Sequence, residues 1–207
     1  MVEAQSKDDY ESKLSKQEYW ESNFQLELQN YEDHGDDGEV WFGKDVQKKT
    51  VEYIMNRFTD SASLKVLDVG TGNGALLFKL CKKSFRGHLV GIDYSDWSIA
   101  LSKRIQQTQK EEYPVAAAIT FRFENAFELV DEGLFDIIHD KGTFDVVYMN
   151  KDLSNSEYAR AIHHRLSKKN PDAVFILTSC NLTSGEMDEI FAVEGLFKKL
   201  CEIKGYR

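Results

Sequence analysis

The sequence predicts an α/β protein built on a doubly wound parallel sheet, and three observations carry that reading. The stretch Val66-Leu67-Asp68-Val69-Gly70-Thr71-Gly72-Asn73-Gly74 is an aliphatic run closing on an acidic residue, followed by glycines at alternate positions. That is the pattern of a buried strand entering a tight turn and a helix N-terminus. Short apolar runs then alternate with helix-length amphipathic segments along most of the chain, which is how strand–helix–strand units read. Finally, Asp68, Asp93, Asn125 and Asp140 stand at the ends of successive apolar runs. The carboxyl ends of strands in an open α/β sheet face the ligand crevice, so these four are expected on one rim.

In chain order, Met1 to Lys13 is charged and aperiodic and reads as a loose tail. From Ser15 to Tyr31 the apolar positions Tyr19, Trp20, Phe24, Leu26, Leu28 and Tyr31 recur at helical spacing, with Ser15 and Glu18 spelling a capping box. Its aromatics are read as packing onto the domain. Glu32 to Glu39 is an acidic, glycine-punctuated loop that delivers Val40-Trp41-Phe42-Gly43. It reads either as a solvated charge run with a hydrophobic anchor or as a lid that sets an aromatic pair and carboxylates over a ligand. Asp45 is expected to cap a helix to Phe58. A boundary at this point gives an N-terminal extension over residues 1–45 and a domain over 46–207.

Strand one is expected over Leu64 to Val69, followed by a helix from Ala75 to Lys83. Strand two covers Leu89 to Ile92, with Ser95 or Asp96 capping a helix from Trp97 to Lys110. Asp93 lies 19 residues beyond Gly74, where dinucleotide sites place the carboxylate that accepts both hydroxyls of a ribose. After a linker around Pro114, Ala116 to Phe123 and Phe135 to Asp140 read as strands. Glu157 to Lys168 then reads as a helix and Ala173 to Thr178 as an apolar strand. Thr183 or Ser184 caps a helix over Glu186 to Ala192, and Leu196 to Ile203 forms one more strand.

Composition narrows the function classes. The chain has 207 residues, 42% of them hydrophobic, which suits one sizeable core. Its 35 acidic against 26 basic residues give a net charge of −9, which disfavours a general grip on nucleic-acid phosphates and suits a basic protein partner. Cys81, Cys180 and Cys201 are widely spaced, which argues against a disulfide framework and a zinc site and for a reducing compartment. No stretch of the length a membrane span needs, about 18 apolar residues, occurs, so no membrane role is expected. Cytoplasm, with the nucleus as the alternative, is the expected compartment.

The glycine spacing is G-x-G-x-G rather than G-x-G-x-x-G, and Asp68 precedes the first glycine by two residues. This spelling resembles the first motif of the class I S-adenosylmethionine-dependent methyltransferases, whose fold is a Rossmann-like doubly wound sheet. The resemblance is closest to the methyltransferase-like proteins that modify a lysine of translation elongation factor 1-alpha. It rests on Lys16-Gln17-Glu18-Tyr19-Trp20, Gly38-Glu39-Val40-Trp41-Phe42-Gly43, the glycine motif, Gly91-Ile92-Asp93-Tyr94-Ser95, Asp140-Lys141-Gly142-Thr143-Phe144-Asp145 and Thr178-Ser179-Cys180-Asn181.

The resemblance implies a monomeric protein-lysine N-methyltransferase that uses S-adenosyl-L-methionine, with that elongation factor as partner. It assigns Gly70, Gly72 and Gly74 to the cofactor's methionyl end, Asp93 to its ribose, Asp68 to the turn near its amino group, and Tyr94 to a cover over ribose or adenine. Asn125 stands where the class commonly has an acidic residue on the adenine amino group. Asp140 is expected closest to the transferred methyl, with Trp41, Phe42 and Asn181 as walls. Lys141 reads equally well as a surface residue, and Gly142-Thr143 as a simple turn.

The reaction needs an unprotonated lysine, which at pH 7 costs roughly 4–5 kcal/mol; an apolar entrance lowers that cost and rim carboxylates attract the cation first. The family's sheet normally ends in an antiparallel hairpin whose last strand inserts beside the fifth. Arg207 follows its first arm here, so the sheet is expected to lack that strand and to leave an edge unpaired. Methylation of a small molecule and a non-catalytic binding role stay open as alternatives.

Overall fold

The computed structural model describes residues 12–203, so Met1 to Glu11 of the expected tail lie outside the described residues. Five strands form the sheet: β1 (Lys65–Val69), β2 (His88–Asp93), β3 (Thr120–Phe123), β4 (Ile137–Lys141) and β5 (Val174–Thr178). Their order is β3-β2-β1-β4-β5 and every pairing is parallel. The chain winds outward from β1 to β3 and then returns to the other side of β1, so the direction of winding reverses between β1 and β4. Asp68 pairs in register with both Gly91 and His139, which sets the ends of β1, β2 and β4 level.

The strands are near-continuous apolar runs because helices cover both faces. Alternate residues go to opposite faces: Val66 and Ile137 pack with Ile54, Leu77, Leu80 and Leu101, whereas Leu67 and Ile138 pack with Phe144, Tyr158 and Ile162. The first face is closed by α2 (Gly43–Arg57), α3 (Ala75–Lys82) and α4 (Asp96–Glu112), and the second by α5 (Thr143–Met149), α6 (Asn155–Arg165) and α7 (Ser184–Phe191). Helix α1 (Gln17–His34) belongs to the extension and lies against α4, where the Tyr31 hydroxyl donates to Thr108 Oγ1 at 2.8 Å.

Several expected elements shift for identifiable reasons. The Ser15–Glu18 capping box does not form: Lys13–Ser15 is a 3-10 turn, the Ser15 hydroxyl donates to the Ser12 carbonyl at 2.8 Å, and α1 is capped by Lys16 without a side-chain bond. Leu26 faces solvent. Helix α2 starts at Gly43, which puts Asp45 inside its first turn rather than at the cap. Of the two caps offered for α4, Ser95 takes the position; for α7 it is Thr183, which forms a capping box with Glu186.

The expected strand from Ala116 divides, because Pro114 starts a 3-10 turn whose carbonyls, Ala116 O and Ile119 O, accept from Gln106 Nε2 at 2.8 and 2.7 Å. Leu196 to Ile203 is not a strand. A 3-10 turn at Val193–Gly195 redirects the chain, and Phe197 docks on Phe175 and Phe191 at ring distances of 5.5 and 5.9 Å. Among the described residues β5 is thus a sheet edge with no strand beyond it. Helix α5 is an addition that the sequence reading passes over as a turn.

Candidate active site

A cavity opens at the carboxyl ends of the strands, at the β1/β4 reversal where α/β sheets bind ligands. The glycine turn forms its floor: Gly70, Thr71, Gly72 and Asn73 all line it. Gly70 has φ +63°, and a Cβ there would lie 1.9 Å from Thr143 Oγ1, so only glycine fits between β1 and α5. Gly74 is different. It does not line the cavity, and a Cβ there would strike the Phe121 and Phe78 rings at 2.8 and 2.9 Å. Its absent side chain therefore serves packing of α3 against β3, not the approach of a ligand.

Asp68 is buried beneath the turn. Its Oδ2 accepts from the Thr71 hydroxyl at 2.8 Å, and its Oδ1 lies 2.7 Å from His139 Nδ1. Asp93 lines the cavity, with Oδ2 accepting from Gly72 N and Oδ1 from Ser95 N, each at 3.0 Å. A carboxylate has about four acceptor positions, so these bonds leave some capacity for a ligand. Burial pushes the Asp93 carboxyl up to about 6, against the pull of the hydrogen bonds from Ser95, Gly72 and Ser98. Tyr94 is half-buried on the same side of the cavity. Asn125 lies apart: it is exposed, does not line the cavity, and its Oδ1 accepts from Phe127 N at 3.0 Å.

Residues from the N-terminal side roof the cavity, and besides the Tyr31–Thr108 bond three further contacts fasten them. Asn150 Nδ2 donates to Ser15 O at 3.1 Å, and Ser95 Oγ donates to Glu21 at 2.7 Å. Asn73, from the glycine turn itself, donates to Asp37 O at 2.8 Å and Glu39 O at 3.3 Å. The acidic loop is therefore tied to the turn beneath it. Trp20, Phe24, Trp41 and Phe42 all face the cavity, with Trp20 and Trp41 edge to face at 5.1 Å. Trp20 and Phe24 do more than the packing expected of them: Phe24 is in the core and also walls the ligand space.

On the β4–β5 side the structure corrects one assignment. Asp140 is fully buried and does not line the cavity. Its carboxylate accepts from Thr143 N at 2.9 Å, Phe144 N at 3.0 Å and the Tyr158 hydroxyl. It caps α5, because a helix that starts directly after a strand leaves amides that need an acceptor. A group so enclosed has no access to a transferred methyl. Its neighbours in sequence hold the cavity instead: Lys141, Gly142, Thr143 and Asp145 line it, together with Met149, Cys180 and Asn181. Lys141 Nζ lies 5.9 Å from the Phe42 ring centroid, and burial lowers its pKa against the attraction of Asp68, Asp140 and Glu39. Lys141 and Asp145 are the site residues that sequence reasoning missed. A helix recognised after Gly142 would have placed Asp145 in its first turn, facing the crevice.

A family model described as a methyltransferase domain matches residues 60–204. The chain is 33% identical over 207 aligned residues to the protein-lysine N-methyltransferase efm4 of Schizosaccharomyces pombe, covering 89% of this chain and 83% of that protein. It is 34% identical to the EEF1A lysine methyltransferase 2 of Danio rerio, covering 90% and 77% respectively. Among solved structures, the protein mmp1179 of Methanococcus maripaludis superimposes with a TM-score of 0.52 at 16% identity, covering 79% of this chain and 64% of that one. The [4+2]-cyclase SpnF also reaches 0.52, at 15% identity, over 77% and 61%. The fold alone is thus shared with a protein of different chemistry, and the closer identities are those to lysine methyltransferases. With its parallel sheet, its glycine turn at the switch point and these relatives, the chain belongs to the methyltransferase-domain family.

Proposed function

We propose that this protein is a protein-lysine N-methyltransferase that moves methyl groups from S-adenosyl-L-methionine to a lysine of translation elongation factor 1-alpha. The observation that carries the reading is one continuous cavity joining a cofactor-type floor to an aromatic roof. The floor offers the open backbone of Gly70 and Gly72 and the Asp93 carboxylate; the roof offers Trp20, Trp41 and Phe42. The yeast relatives are named protein-lysine N-methyltransferases and the animal ones EEF1A lysine methyltransferases.

The residues fit the cofactor. Asp93 brings a carboxylate acceptor for ribose hydroxyls to the cavity wall, and Tyr94 stands beside it. The cavity also holds one cation, Lys141, opposite in charge to a methionyl carboxylate. Asp68 fixes the turn through Thr71 rather than touching the cavity. The cofactor supplies an electrophilic methyl on a sulfonium. The chain's part is to bind, align and exclude water: aromatic walls desolvate the amine and stabilise a passing cation, while the acidic loop at Asp36, Asp37 and Glu39 gives a basic protein surface a complementary rim. Asn181, at the mouth, contacts Met149 and completes the wall. We place the reaction in the cytoplasm, with the nucleus as the alternative, and in a monomer.

Incubation with labelled S-adenosylmethionine and purified elongation factor 1-alpha is expected to label one lysine, located by mass spectrometry, and Asp93→Ala to abolish the label. Label confined to small molecules, or none, overturns the proposal.

A further inference from the structure

We infer that Asp145 is the residue that receives the substrate amine; this rests on the lysine-methyltransferase reading above and deepens it. Asp145 stands in the first turn of α5, is 3% exposed, and lines the cavity. Its Oδ1 accepts from Ser179 Oγ at 2.8 Å, Asn181 N at 3.0 Å and Cys180 N at 3.2 Å, and Cys180 Sγ lies 3.9 Å away. Among the described residues its Oδ2 has no hydrogen-bond partner. A buried carboxylate oxygen without a partner is costly and calls for a ligand. The three bonds on Oδ1 hold the group rigid, so Oδ2 is presented at a fixed place.

The chemistry of that ligand follows from the surroundings. Lys141, the cation in the same cavity, makes no ion pair with Asp145 among the described residues; its Nζ lies over Phe42 instead. Trp41 Nε1, also in the cavity wall, is a buried donor without a partner. An unpaired anionic acceptor behind aromatic walls matches a primary ammonium on an alkyl chain. The methylenes meet the rings, the cation meets their π-faces, and the nitrogen meets Oδ2.

Topology keeps this group away from the ribose end. Asp93 ends β2 and Asp145 stands in α5, the helix after β4; β1 lies between the two strands, which are about two strand spacings, or roughly 10 Å, apart. The cofactor's nucleoside and the incoming amine therefore enter the crevice from opposite sides of β1.

In the reaction the amine first loses its proton to water, and Oδ2 accepts a hydrogen bond from a remaining N–H. The nitrogen lone pair then forms the N–C bond while the C–S pair returns to sulfur, leaving a thioether and a positively charged methylated amine beside the carboxylate.

Asp145→Asn keeps an acceptor for the three pinning donors and puts an amide NH2 in place of the unpartnered oxygen. Three measurements on the full chain test the inference: the thermal midpoint, S-adenosylhomocysteine affinity by calorimetry, and binding of n-butylammonium to the S-adenosylhomocysteine-loaded protein by chemical-shift titration. Alongside them runs kcat/KM on elongation factor 1-alpha. Asp145→Asn should keep the midpoint and hold the S-adenosylhomocysteine affinity within about threefold, while abolishing n-butylammonium binding and lowering kcat/KM at least 100-fold. Equal n-butylammonium binding by both proteins, or by neither, overturns the assignment. So does a tenfold or greater loss of S-adenosylhomocysteine affinity with amine binding intact, which would make Asp145 a cofactor contact. If the wild type methylates no lysine, the proposed function falls, and the amine titration still decides the role of Asp145.

Discussion

Asp140→Asn and Asp140→Ala separate a helix cap from a catalytic group. In the wild type the carboxylate satisfies Thr143 N, Phe144 N and the Tyr158 hydroxyl inside a site closed to solvent. Alanine leaves three donors unpaired, each worth about 1–3 kcal/mol when buried. Discounting Thr143, whose bond is only part-buried, the loss is about 2–6 kcal/mol, a large share of a typical domain's stability. Asparagine presents one oxygen to the amides and its NH2 to the Tyr158 oxygen, so its cost is about 1–2 kcal/mol.

The pH profile adds a second signature. Burial raises the Asp140 carboxyl from 3.8 to about 6, so the folded state holds this proton more tightly than the unfolded chain. Its contribution is therefore greatest below about pH 4 and is lost as pH rises through 6, by on the order of 2–3 kcal/mol. Asparagine removes that slope. Urea unfolding between pH 4.5 and 7.5, with cofactor affinity and turnover at pH 7.5, measures all of this. An Asp140→Asn protein with unchanged stability and turnover reduced more than 100-fold would refute the capping role and return Asp140 to the chemistry.

Further outcomes follow from other sites. Arg165 is fully buried and ion-paired with Glu124, and it also donates to Glu128 O at 2.8 Å. Arg165→Met removes one of the two guanidiniums paired with Glu124, leaving Arg122 at 3.1 Å, and should lower urea-unfolding stability by about 1–3 kcal/mol; no measurable change would show that the pair is dispensable. Asp93, raised to about 6 by burial and by neighbouring Asp68, binds a diol best when ionised. Cofactor affinity by calorimetry should thus fall about tenfold per pH unit below 6, and Asp93→Asn should flatten that dependence. Asn73→Ala removes the bonds to Asp37 O and Glu39 O, loosening the loop by about 1–2 kcal/mol. Hydrogen exchange at residues 37–40 should quicken while exchange in β1 stays slow.

The strand–helix alternation, the parallel sheet and the glycine turn were legible because they depend on local pattern: apolar runs of strand length, helix-spaced faces and a glycine spelling that only a tight turn needs. Asp93 was legible for the same reason, since strand ends in such sheets face the crevice. Asp140 stands at a strand end too, yet its side chain turns into α5. The direction was settled by a helix starting three residues later, whose free amides the sequence does not advertise. Leu196 to Ile203 has strand-like composition, but nothing local shows that Phe197 finds Phe175 and Phe191 across the fold.

By itself, then, the sequence determined the fold class, the cofactor-type turn and the acidic residue at the end of β2, because each follows from neighbours in the chain. The tertiary structure alone decided that Asn73 ties down the acidic loop, that Asp140 caps while Asp145 faces the cavity, and that Asn125 stands outside it. Those outcomes depend on which elements meet at the crevice: the bonds of Asn73 and Asp145 join residues 34 to 36 positions apart, which leave no trace in local spacing.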